Sequence, residues 1–126
     1  MSLQLADIQT WLQEAFPGTP VQLNRLQDQP DQAIAINIQG GPQILEGYFE
    51  ESYLIVRCRA AADADDVAEA LALAVHQFIT THDASQQIGS TYVLSIFSSS
   101  GPPTYSGWDV DRRSIYQGSY QLKVAT

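Results

Sequence analysis

Cysteine is nearly missing from this chain of 126 residues: Cys58 stands alone. That excludes an internal disulfide and a cysteine-rich zinc site, and it fits a reducing cytoplasm. Positive charge is also scarce. Six basic side chains face fourteen acidic ones, for a formal net charge of −8. Duplex-binding domains carry a basic footprint that neutralises phosphates, so neither a grip on nucleic acid nor attachment to an anionic membrane surface is expected. No apolar run reaches the roughly 18 residues that would span a bilayer. A basic n-region and a small-residue cleavage site are missing as well, so no signal peptide is expected.

What is present belongs to a globular protein: 44% apolar and 16% charged residues, in a length that suits one domain over residues 1–126. No internal repeat, interdomain linker or low-complexity tract interrupts it. Leu5, Ile8, Leu12 and Ala15 fall on one helical stripe, with Trp11 and Phe16 at its edges, which predicts a helix from Leu3 to Phe16. Ser2 can cap its start, and Pro17-Gly18 ends it. "QAIAINIQ" alternates, Ile34, Ile36 and Ile38 against Ala33, Ala35 and Asn37, as a half-buried strand does. "GGPQILEGYFEES" carries turn residues, yet Ile44, Leu45, Tyr48 and Phe49 are too apolar for a plain solvated loop. In "YLIVRCRA", Leu54, Val56 and Cys58 oppose Ile55, Arg57 and Arg59.

The strongest element is "DADDVAEALALAVHQFITTH". Val67, Leu71, Ala74, Val75, Phe78 and Ile79 form a helical stripe, with Asp63 as N-cap and Asp65, Asp66 and Glu69 near the positive helix end. "TYVLSIFS" alternates Tyr92, Leu94 and Ile96 against Val93, Ser95 and Phe97. A loop is expected from Ser98 to about Gly107. A last strand from about Ser114 to Val124 sets Tyr116, Tyr120, Leu122 and Val124 on one face. The order predicts an α+β fold, a mainly antiparallel sheet with two helices packed on one face.

Candidate chemistry is thin. Asp109-x-Asp111 offers paired oxygens to a divalent cation, but the adjacent Arg112 and Arg113 would repel one, and a turn stabilised by Asp-Arg pairing fits better. His76 and His82 are six apart, whereas zinc-binding helical histidines favour i, i+4. Cys58 lies on a core-facing position without a cationic neighbour on its face, so it reads as a small buried hydrophobe. "SSSGPP" lacks the G-x-x-x-x-G-K-[ST] phosphate-loop pattern, and no G-x-S-x-G elbow occurs. No catalytic role, metal or cofactor is expected. Arg57 and Arg59, with Arg112 and Arg113, are either solvated surface or cations that pair across a protein interface, where arginine is enriched.

The whole arrangement resembles a known family. An opening helix and an extended hairpin lead into "FEESYLIVRCRAAADADDVAEALALAVHQFI", a strand ending in arginine followed by an Asp-rich cap and a long helix. "GPPTYSGWDVDRRSIYQGSYQLKV" then supplies a Gly-Pro loop, an Asp-x-x-x-Arg turn and a tyrosine-bearing strand. This is similar to the minor capsid and tail terminator proteins of long-tailed double-stranded DNA phages. The resemblance implies a virion structural protein of the tail and neck, assembled in the host cytoplasm. Six copies would form a ring on the head-facing end of the tail tube, stop its growth, and present a surface to the head connector or stopper protein. It implies contacts to neighbouring rings at the Gly40–Ser52 hairpin and the 98–107 loop. Interface candidates are then Tyr48, Phe49, Arg57, Arg59, Tyr105, Trp108, Arg112 and Arg113, with Asp65 and Asp66 as acidic counterparts. The strong acidity and high glutamine content depart from that pattern. Two alternatives stay open: another neck or head-completion protein, and a small bacterial α+β ligand-binding or accessory enzyme domain.

Overall fold

A computed structural model describes residues 4–40, 49–82, 85–99 and 101–125. Helix α1 (Leu5–Ala15) leads into strands β1 (Val21–Leu23), β2 (Ala33–Gly40) and β3 (Phe49–Arg59). Helix α2 (Asp65–Thr81) follows, and then β4 (Gln86–Ile88), β5 (Thr91–Ser98), β6 (Thr104–Trp108) and β7 (Ser114–Ala125). The seven strands described form one sheet in the order β1-β2-β3-β7-β5-β4, with β6 off this path and paired to β7. Among the described residues only β1 and β2 pair in parallel. The fold is therefore α+β with a mixed, mainly antiparallel sheet.

Strand β7 is the spine. On one side β3 pairs with it from Phe49 opposite Ala125 to Arg59 opposite Ile115. Its other side is shared, with β5 against Tyr120–Val124 and β6 against Ser114–Gln117. Helix α1 touches both β1 and β4, which stand at opposite ends of the strand order, so the sheet curls around its helical face. The core fills that concavity. Ile34, Ile36, Leu54, Val56, Cys58, Tyr120, Leu122 and Val124 meet Ile8 and Leu12 of α1 and Ala72, Val75 and Ile79 of α2. The Phe78 ring joins the helices, with Trp11 and Phe16 centroids 4.9 and 5.8 Å away.

Several expectations shift. Helix α1 starts two residues later than predicted, after Gln4, and Ser2 lies outside the described residues. The buried arc of α2 is Ala68, Ala72, Val75 and Ile79, rotated from the expected stripe, so Val67 is 43% exposed. Asp63 is not the N-cap; Ala64 holds that position, and Asp63 adopts φ 60°. A β-bulge at Leu94 separates the pairs Val93–Val124 and Ser95–Lys123. The extra residue moves Ile96 to the face of Val93 and away from that of Tyr92, because one inserted residue inverts a period-two alternation. The expected 98–107 loop contains β6. The β2–β3 ladder runs on to Gly40 opposite Ser52, so both ends of the expected Gly40–Ser52 hairpin are strand, and 41–48 lie outside the described residues.

Strand β2 is covered on both faces, not half-buried as predicted: Ala33 and Ala35 are as hidden as Ile34 and Ile36. The parallel β1–β2 pair needs a crossover, and residues 24–32 supply it by folding over the face away from the helices. Glutamines carry much of this local backbone. Gln22 accepts from the Gln27 N–H at 2.8 Å and donates to the Gln29 carbonyl at 3.3 Å, while Gln32 reaches the Thr19 hydroxyl at 2.9 Å. The unusual glutamine content thus has a structural use.

Candidate functional site: an edge strand and its arginine clamp

The turn between β6 and β7 is built on Asp109. Its Oδ1 accepts the N–H groups of Asp111 and Arg113, both at 3.0 Å, and its Oδ2 accepts Arg113 Nε at 2.8 Å. This is the Asp-Arg turn that the sequence predicts, and it spends the oxygens of Asp109 on N–H donors. Arg113, only 4% exposed, continues inward. Its guanidinium donates to the Asp28 carbonyl at 2.6 Å, Asp31 Oδ1 at 3.0 Å and Asp111 Oδ2 at 3.2 Å. Arg59, 2% exposed, binds three carbonyls of the crossover: Gln27 and Pro30 at 2.7 Å and Asp31 at 2.8 Å. Two guanidiniums therefore clamp residues 27–31 between the end of β3 and the β6–β7 turn.

The electrostatics follow from burial. Burial, and then the like charge of Arg113, draw the Arg59 guanidinium below its ordinary value. For Arg113 burial acts in the same direction, but Asp31, Asp109 and Asp28 overcome it and hold the group above its ordinary value. Burial alone would raise the Asp109 carboxyl; the bonds from Arg113 and Asp111 hold it below the usual carboxylate range.

Arg59 and Arg113 are thus not the free surface cations expected from the sequence. Their N–H donors end on this chain's own carbonyls and carboxylates, which takes them out of pairing with a neighbour. The four arginines divide differently. Arg57 is half-buried and leans on Asn37 Oδ1 at 3.5 Å. Arg112, with φ 64°, is exposed and pairs with Asp63 at 2.7 Å. Asp65 receives the Ser114 hydroxyl at 2.5 Å, joining the α2 N-terminus to β7, while Asp66 is exposed. Tyr48 lies outside the described residues, and Phe49 opens β3 opposite Ala125.

Beyond the clamp lies β6. Tyr105 is 51% exposed, Trp108 70% and Val110, at the turn, 98%. The Tyr105 ring meets Tyr116 edge-on, centroids 5.7 Å apart, and otherwise faces outward. Among the described residues no strand pairs with the outer edge of β6. A bulge at Ser106 and Gly107 at φ 114° shorten the ladder with β7. The edge of β6 and the aromatics beside it are open to solvent.

No family model and no curated protein matches this chain.

The Asp-Arg pairing of the turn is legible in the sequence. Strand β6 itself is not, because "TYSGW" lacks alternating hydrophobicity and holds a glycine. The clamp had one signal, the Asp-x-x-x-Arg spacing, but nothing local announced that Asp28 and Asp31 would be its partners. Cys58 is buried as expected, and burial pushes its thiol up to about 12, leaving little thiolate near neutral pH. His76 flanks the buried arc, with Nδ1 2.9 Å from the Tyr120 hydroxyl.

Proposed function

We propose that this chain is a non-catalytic assembly protein, a tail terminator of a long-tailed phage that forms a ring between tail tube and head connector. The observation that carries the reading is the unpaired β6 edge with Tyr105, Trp108 and Val110 exposed on a turn that the arginine clamp holds fixed. A rigid, apolar rim is what an assembly contact needs, since ordering costs are met before binding. The sequence pattern of an acidic first turn in α2, with Asp65 and Asp66, and a terminal tyrosine-bearing strand supports the same family.

A ring of identical acidic copies, each with formal charge −8, requires a heterologous seam in which unlike patches meet. Electron microscopy and light scattering of the purified protein, alone and with tail tubes, test this. Rings, or capping of tube ends, are expected. Replacing Tyr105 and Trp108 together by serine should leave the melting temperature within a few degrees and remove assembly. A wild-type protein that stays monomeric alone and leaves tube ends unchanged overturns the reading.

A further inference from the structure

We propose that a cavity beside α1 is a receptor for a guanidinium side chain, and that its occupant is Arg25 of an adjacent copy; the choice of occupant rests on the ring reading above. The cavity, of about 310 Å³, lies between α1 and the β4–β5 turn, with Asp7, Thr10, Trp11, Glu14 and Gly89 in its walls. One wall is aromatic and fixed, because the Trp11 indole stacks at a tilt on Phe78. Two walls are anionic. Asp7 lies over Gly89, where a Cβ would stand 2.1 Å from the Asp7 carboxyl carbon, so glycine at φ 62° leaves the carboxylate its place. Asp7 Oδ2 accepts there only a long bond, 3.5 Å from the Ser90 N. The Glu14 carboxylate has no bonded partner among the described residues, and α1 contains no basic residue. A planar cation is the group that satisfies both features, stacking on indole while donating to carboxylate oxygens. A lysine ammonium would match only the charge.

The chain's own cations select the occupant. Arg59 and Arg113 are buried, Arg112 pairs with Asp63, Arg57 leans on Asn37, and Lys123 is engaged. Arg25 is exposed, in the turn after β1, and makes no side-chain bond among the described residues. Helix α1 reaches β1 through Gln9 and the β4–β5 turn through Asp7. Arginine and receptor therefore occupy different patches of one copy, as a heterologous seam requires.

Three measurements separate receptor from occupant. Agmatine titrated into the Trp108→Phe protein, whose fluorescence then comes from Trp11, should give a saturable change that Asp7→Asn with Glu14→Gln abolishes. No saturable change, or an equal one in the carboxylate variant, overturns the receptor. Cysteines at position 10 in one preparation and 25 in another should form an intermolecular disulfide at least tenfold faster than a control pair with Thr10→Cys and Gln39→Cys. Equal rates overturn Arg25 as occupant, while rings seen by microscopy would leave the assembly reading standing. Arg25→Glu combined with Glu14→Arg should restore association lost in Arg25→Glu alone; failure to restore it counts against the pairing.

Discussion

Asp109 and Arg113 are bonded twice, backbone N–H to Oδ1 at 3.0 Å and guanidinium Nε to Oδ2 at 2.8 Å. One carboxylate thus fixes both the turn and the rotamer of a buried cation. Removing it would leave Arg113 its bonds to Asp28, Asp31 and Asp111 but take away the Nε bond and the turn anchor, and a hydrogen bond between charged groups is worth about 1.5–3 kcal/mol. Asp109→Ala is expected to lose stability of that order in urea unfolding at pH 7.

The same pair sets an acid dependence. The folded-state pKa of Asp109 lies below its ordinary value, so on acidification the unfolded chain binds a proton first, and the stability that the group contributes is lost as pH falls through the folded value. Urea midpoints measured from pH 7 downward should drop more steeply below about pH 4 for the wild type than for Asp109→Ala. Parallel curves would show that other carboxylates govern acid unfolding.

Gly118 and Tyr120 form a second dependency. A Cβ at position 118 would stand 2.8 Å from the Tyr120 hydroxyl and 3.2 Å from two ring carbons, so the glycine is the bed on which the ring lies. Gly118→Ala must move that ring and break its bond to His76, for a cost of about 1–3 kcal/mol. Tyr120→Phe loses the hydroxyl alone, at about 1 kcal/mol. A double-mutant cycle should show the alanine to be less damaging once the hydroxyl is gone. Additive effects would place the cost of Gly118→Ala in the backbone instead.

The parts of the fold legible in the sequence were those written in periodicity. Ile34, Ile36, Leu54, Val56, Tyr120 and Leu122 announced their faces because each strand is long enough to alternate. Val21–Leu23 and Gln86–Ile88 are three residues each, too short to show a period. Ile96 was assigned to the wrong face because a bulge at Leu94 leaves no mark in hydropathy. The open strand that carries Tyr105 and Trp108 was not legible, because a five-residue segment with a glycine and a bulge shows no alternation. Arg59 departs from the expected surface position for a tertiary reason. Its partners are carbonyls some thirty residues away (|i−j| 28 to 32), and no local pattern encodes a crossover's path.

Cys58 gives a check on core integrity. Its thiol is buried and pushed up to about 12 from an ordinary value near 9. Between those values the unfolded chain releases a proton that the folded chain keeps, so stability falls as pH rises beyond about 9. Disulfide-exchange reagent at pH 8 should label the protein only at the rate of opening, and labelling should accelerate with added urea in step with unfolding. Fast stoichiometric labelling of the native protein would show the site to be open.

The glutamines of α1 make the last prediction. Gln13 Oε1 accepts the Val21 N–H at 2.9 Å, its Nε2 donates to the Phe16 and Thr19 carbonyls at 2.9 Å, and Gln9 Nε2 donates to the Val21 carbonyl at 2.8 Å. Side-chain amides thereby take the place of a neighbouring strand on the outer edge of β1, which a three-residue strand in a curled sheet could not otherwise satisfy. Gln13→Leu keeps the bulk but leaves the Val21 N–H and two carbonyls without their partner. The expected cost is about 1–3 kcal/mol for the buried donor, and the edge becomes available to another chain. Hydrogen exchange should quicken first at Val21, before the β3–β7 ladder responds, and the variant should aggregate sooner than the parent on heating. Unchanged protection at Val21 would mean that water replaces the amide without loss, and that α1 holds this edge by packing alone.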